Sequence, residues 1–309
     1  MAEPAVGAQK PRSRIFNRKT VPLYIMIFPA LVLTFLFRYV TLPGHLIAFM
    51  DWRVTGFQGW VGLEHFKFIF TLDYFWQSFI NHWRLILMGY IFLFPAPIIL
   101  ALLLNEMKGR VLKRSVQTLT ILPHFVNWVV IGAIFINLLS PRFGYVNDVI
   151  RLLGGEPIYF LSIPDAFPWL LTFFRMWKGV GYSAIIYLAA LSSVDMELYE
   201  AAVIDGAGRL RQTFAVTLPA LSATIVVLFV LSFADVFGGL FEPVLVLKNS
   251  MVLDKAEILD TYIYEVALKR NRYGIGAAAG MFKATIGVTL LLSVNLLSKR
   301  LTPDGRGII

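Results

Sequence analysis

Six apolar runs, each about 20 residues long or more, dominate this chain and leave little choice of fold. A bilayer offers no water to bond backbone amides and carbonyls, so a run of this length must close its hydrogen bonds on itself as a helix. The predicted spans are 21–40, 82–104, 118–139, 168–191, 219–239 and 275–297. With 58% apolar and 15% charged residues, the composition is that of a polytopic membrane protein. The fold class is therefore an all-α membrane protein of six transmembrane helices, with a transmembrane domain over 21–301 and short tails at 1–20 and 302–309.

Lys10, Arg12, Arg14, Arg18 and Lys19 precede the first run, as in a signal peptide. That run is too long for a signal peptide and no small-residue cleavage site follows, so it reads as an uncleaved span. Threading the chain from there gives 14 Lys and Arg in cytoplasmic segments against nine outside, which places both termini in the cytoplasm. The net charge of +9 is dispersed among spans and reflects topology, not a nucleic-acid partner. There is no cysteine, and the four histidines show no metal-ligand spacing. No phosphate-loop pattern occurs, so ATP is not expected to be hydrolysed by this chain, and no catalytic or metal site is predicted. Residues 41–80, 140–167 and 242–273 are expected as external connections, the last one charged, with a short amphipathic piece at 146–153. Gly276 to Gly280 form a small-residue stripe suited to close helix packing.

Arg84, Arg175, Lys178, Asp235 and Lys283 fall inside predicted spans, where an unpaired charge costs about 2.5–3.5 kcal/mol. At ~1.5 Å per residue, Arg175 lies about 10 Å below the outer boundary and Asp235 about 24 Å above the inner one, so the two share a depth. Either they form a salt bridge between two helices, or they line a polar cavity. Trp177, Tyr182 and Phe237 lie near them in sequence and suit either stacking on sugar rings or ordinary packing.

Between the fourth and fifth spans lies a polar island, DMELYEAAVIDGAGRLRQTFAVTLP, from Asp195 to Pro219. Asp195 is a good N-cap, and Leu198, Ala201 and Ala202 share a face of a short helix that stops at Asp205-Gly206. A second helix places Leu210, Phe214 and Leu218 on one face, and Pro219 opens the fifth span. By itself this is a helix-turn-helix connection. Its residues Glu200-Ala201-Ala202, then Asp205-Gly206-Ala207-Gly208, then Phe214 and Leu218-Pro219, resemble the EAA coupling motif of binding-protein-dependent ABC importer permeases.

That resemblance extends from about Val21 to Leu301 and is strongest in the oligosaccharide and polysaccharide branch of the sugar permeases. WVGLEHF at 60–66, FPAPIILALLLNEM at 94–107 and VQTLTILPHFVNWVV at 116–130 share it. It implies a type I ABC importer permease fold in a bacterial inner membrane, with cytoplasmic coupling helices. It further implies a second permease, two ATPase subunits that bind ATP and Mg, an extracytoplasmic solute-binding protein, and alternating access as the mechanism. Glu200 would contact the ATPase, Gly206 would set the turn, and Asp205 would fix it. Met196 stands where many members have proline. Within the branch the alginate-oligosaccharide importer is similar, and basic residues in the spans suit uronates; Arg175 or Lys178 would then help hold the saccharide. A permease for another solute, or an ion-coupled secondary carrier, are the alternatives, the latter weakened by Asp235 being the sole acidic residue in a span.

Overall fold

The computed structural model describes residues 20–234 and 236–301, with side chains for 20–233 and 236–296. It divides into two units, one ending at Ile47 and one starting at Ala48. The first carries α1 (Val21–Thr34), apolar throughout and burying no residue, followed by a π-turn at Phe35–Tyr39. A helix uncovered and apolar on every side suits lipid.

The second unit opens with an antiparallel hairpin, β1 (Met50–Arg53) and β2 (Gly56–Trp60), then α2 (Glu64–Phe70). The helices α3 (Asp73–Met88) and α4 (Pro95–Glu106) join into one span through a π-turn at Gly89–Leu93. Pro95 lacks an N–H and crowds the carbonyl one turn back; a widened turn, closed by Phe94 N–H bonding the Gly89 carbonyl at 3.0 Å, makes room for it. The span thus starts nine residues earlier than the predicted His82.

Sequence reading expected one unbroken third span, and the structure corrects this. The helix α5 (Arg110–Ile121) runs through a 3₁₀ turn to Phe125, and α6 (Trp128–Leu138) leaves at 106° to it. Pro123 ends the first helix, and Asn127 caps the second, its Oδ1 accepting from Val130 N–H at 2.9 Å. The amphipathic piece forms α7 (Tyr145–Leu152), and the fourth span forms α8 (Phe167–Leu191). The chain then turns by 76° into α9 (Met196–Ile204). After α10 (Arg209–Gln212) and a third π-turn at Thr213–Thr217, α11 (Leu218–Ala234) completes the fifth span. Pro219 therefore lies within a continuous helix, Arg209–Phe233, and does not open it. Among the described residues, four helices qualify as spans by length and apolarity, or up to six when each bent pair is counted as one span.

Residues 242–273 also depart from expectation. They form α12 (Phe241–Leu247), α13 (Leu253–Ala256), α14 (Leu259–Ile263) and a π-turn at Tyr264–Lys269, and they turn inward. Val244, Val252, Ala256 and Ile258 are fully buried, joining Leu85, Phe135, Leu171 and Phe174 in the core, and Leu259 is fully buried in a second cluster with Phe75 and Tyr262. The inward-facing charges of this stretch are paired, which allows the burial: Lys248 meets Glu257 at 3.0 Å, and Asp260 meets Lys283 of α15 (Tyr273–Leu301). The small-residue stripe packs as expected. Ala278 and Ala279 are buried, and a Cβ at Gly276 would strike Ala267.

Irregular backbone inside a bundle must find partners. Here side chains of the regular helices supply them. Gln77 and Asn81 donate to the Asp254 carbonyl at 2.6 and 2.9 Å, and Asn81 also to that of Glu257 at 3.1 Å. Asn147, fully buried, donates to the carbonyls of Leu139, Ser140 and Ile158.

Candidate functional site

The loop between the fourth and fifth spans is held rigid from within. The Asp195 carboxylate accepts from Glu197 N–H at 3.0 Å and caps α9. At the far end Gly206 N–H bonds the Val203 carbonyl and Ala207 N–H that of Ala202, with Gly206 at φ +73°. This is a Schellman ending, and a side chain at Gly206 would strain the left-handed backbone. The Asp205 side chain, expected to fix the turn, accepts no hydrogen bond among the described residues. Gln212 does that instead, its amide donating to the Ala207 carbonyl at 2.7 Å. Tyr199 ties α9 to the π-turn at Thr213–Thr217 through Thr217, at 3.0 Å between hydroxyls. Neither Gln212 nor Tyr199 stood out in the sequence, although each is a polar residue at a position where the helix faces its own return.

The clamped loop exposes large apolar side chains beside the charges of Glu197, Glu200, Asp205, Arg209 and Arg211. Ile204 is 86% exposed, Leu210 77% and Phe214 68%, and none of the α9 side chains is buried. Glu200 and Ala201 face outward, Gly208 is exposed, and Tyr199 and Ala202 face inward. The expected stripe of Leu198, Ala201 and Ala202 is therefore not the packed face. Leu218 likewise leaves the face shared by Leu210 and Phe214, because the π-turn between them adds a residue to the helical period; it is half-buried.

The second place of interest lies among α3, α8 and α11. Arg175 lines a cavity of about 220 Å³ with Gly89, Tyr90, Ser232 and Val236. Its Nη1 is buried and has no hydrogen-bond partner among the described residues. Tyr90 and Ser232 hydroxyls meet at 3.1 Å on the opposite wall. Asp235, the predicted companion of Arg175, lies outside the described residues; Ser232 and Val236 line the cavity together with Arg175. Tyr90 and Ser232 were missed because single hydroxyls in an apolar run are common.

The remaining pathway residues divide. Lys178 is committed elsewhere: Nζ donates to the carbonyls of Val126 at 2.6 Å, His124 at 2.7 Å and Pro123 at 3.3 Å. It thus satisfies the break in the third span and is not free for a saccharide. Phe237 is buried, its ring met edge-on by His82 at 5.1 Å and Trp83 at 5.5 Å, so it offers no face to a ligand. Trp177 sits 5.4 Å from Phe135, and Tyr182 stacks on His124 at 3.9 Å. Both are partly exposed, each with one side taken by packing.

Residues 94–303 match the family described as binding-protein-dependent transport system inner membrane component. The chain is 42% identical over 286 residues to the polygalacturonan/rhamnogalacturonan transport system permease protein YteP of Bacillus subtilis (strain 168), over 92% of this chain and 89% of that one. It is 38% identical to protein LplB of the same organism, over 92% and 90%. Among solved structures, a bacterial alginate ABC transporter in complex with alginate pentasaccharide-bound periplasmic protein is similar, with a TM-score of 0.86, 32% identity, and coverage of 94% of this chain and 98% of that one. A bacterial ABC transporter involved in the import of the acidic polysaccharide alginate gives 0.86 and 33%, over 92% and 97%. Likeness of this extent along whole chains makes the apolar helices membrane spans. The chain belongs to the binding-protein-dependent transport system inner membrane component family: it is a multi-pass permease subunit of an ABC transporter, a transport component and not an enzyme.

Proposed function

We propose that this permease imports an acidic, uronate-containing oligosaccharide, together with a second permease, two ATPase subunits and an extracytoplasmic solute-binding protein. The relatives supporting the substrate class are named for polygalacturonan and for alginate. Both are polymers of sugar acids, and alginate oligosaccharides are one member of the proposed class. Arg175, which lines the cavity and whose Nη1 is buried with no hydrogen-bond partner among the described residues, supplies the positive charge on the path in this reading.

The observation that best supports the coupling mechanism is the rigid loop from Asp195 to Pro219 with its exposed apolar side chains. In this reading the loop and both termini are cytoplasmic, in line with the excess of basic residues there. ATP and Mg bind in the partner ATPases, whose closure moves the loop. Because α10, the π-turn and α11 form one helix, displacement at Leu210 and Phe214 passes directly into the fifth span and the Ser232 wall of the cavity. Such transmission needs differential contacts in two states, and the exposed face provides one set.

The chain has no cysteine, so Glu200→Cys or Ala201→Cys introduces a unique label. In inside-out vesicles of the assembled transporter, a short crosslinker at either position is expected to capture the ATPase. Labelling only from the outer side, or capture of no ATPase, overturns the topology and the coupling role together.

A further inference from the structure

A second recess, of about 310 Å³, lies between the hairpin and the start of the last span, on the side opposite the coupling loop. Its walls are set by interactions that leave little to adjust. His65 bonds the Met50 carbonyl at 3.0 Å, and Gly274 passes so close that a Cβ there would strike the His65 ring. Asn271 sits in the left-handed region at φ +55°, uncommon for a residue other than glycine, and accepts a hydrogen bond from the Tyr273 hydroxyl at 3.0 Å. Asp51 binds Arg53 through two contacts at 2.9 and 3.1 Å, which cancels that pair of charges.

One charge on the rim is left over. In the run Lys269-Arg270-Asn271-Arg272, Glu265 lies 3.1 Å from Lys269 and 4.0 Å from Arg270, while Arg272 is exposed with no ion partner among the described residues. Three basic residues at the outer end of a span run against the usual bias of Lys and Arg toward the cytoplasm. Their presence there calls for a local cause. The recess adds the indole of Trp52, 38% exposed, and the ring of Tyr273 to the lining. A guanidinium fork beside aromatic faces fits a ligand with a carboxylate on an apolar-faced ring.

We propose that this recess is an outer receiving subsite for one uronate residue of the incoming oligosaccharide, with Arg272 binding its carboxylate and Trp52 stacking on its pyranose face. The assignment rests on the reading above that this chain imports uronate oligosaccharides and that the hairpin side is external.

The test uses the whole transporter in proteoliposomes with its solute-binding protein, and galacturonate and mannuronate trimers as probes. Arg272→Gln is expected to raise the apparent KM for at least one trimer about tenfold with kcat within about twofold, while affinity for the unliganded binding protein stays unchanged. Trp52→Ala should do the same, and Arg272→Lys, which keeps the charge and loses the fork, should fall between. Unchanged KM in Arg272→Gln overturns the subsite. A loss that follows weaker docking of the unliganded binding protein overturns it in favour of a protein contact, and a loss that vanishes without anionic lipid overturns it in favour of a headgroup site. Wild-type transporter that moves neither trimer defeats the substrate reading itself, and the subsite with it.

Discussion

Replacing Lys178 with methionine keeps the length of the side chain and removes its three hydrogen bonds to the break in the third span. The two short ones, at 2.6 and 2.7 Å, are charge-assisted, and each contributes about 1.5–3 kcal/mol in a water-soluble setting. In a bilayer the unfolded reference finds other partners, and interhelical bonds average only ~0.6 kcal/mol. Against that, removal strands two or three carbonyls in a place that water reaches poorly. Together these bound the loss at about 2–4 kcal/mol. Thermal unfolding of the purified permease in detergent, followed by aggregation or by tryptophan emission, should show a fall on the order of 5–10 °C. Uptake should fall only as far as folded protein does. A Lys178→Met protein that melts within a degree of wild type and yet loses uptake would refute this account and return Lys178 to the substrate path.

Gly181→Ala places a Cβ against the Thr120 carbonyl and Ile121 nitrogen, both backbone atoms that have nowhere to go, and should cost about 1–3 kcal/mol in the same melting assay. Lys283→Met strands Asp260, both side chains being less than a quarter exposed, at a cost of about 3–5 kcal/mol; adding Asp260→Asn should recover most of it, and failure to recover would show that the pair is not an isolated unit. Gly206→Val forces a branched side chain to φ +73° and should cost about 1–2 kcal/mol locally, lowering uptake per ATP hydrolysed more than it lowers the melting temperature.

How far the amino-acid sequence foretold this structure depends on what kind of force shaped each part. The spans at 168–191 and 275–297 fall almost where they were read, because twenty apolar residues leave the backbone no alternative to a helix. The turn at Asp205-Gly206 was legible for the same reason of limited choice, since only glycine accepts that backbone without strain. The break at Pro123 was not, although Pro123 and Asn127 were both in view, because proline within a membrane run is compatible with either a kink or a clean end. Which one occurs depends on whether something satisfies the freed carbonyls. That something is Lys178, 52 residues from Val126 in the chain. The inward fold of 242–273 was hidden likewise: Lys248, Glu257 and Asp260 read as surface charges until their partners are known. In the candidate site, Glu200 and Phe214 were singled out by motif and both are exposed, whereas Gln212, Tyr90 and Ser232 act through contacts that no spacing rule announces.

The π-turn at Thr213–Thr217 amounts to one extra residue in an otherwise continuous helix. One residue is about 100° of rotation. The azimuth of Leu210 and Phe214 relative to the cavity wall at Ser232 is therefore dictated by a single surplus peptide unit. Deleting one residue from that turn would leave every exposed side chain of the loop in the chain, yet swing the face of Leu210 and Phe214, the proposed docking face, through more than a quarter of a circle.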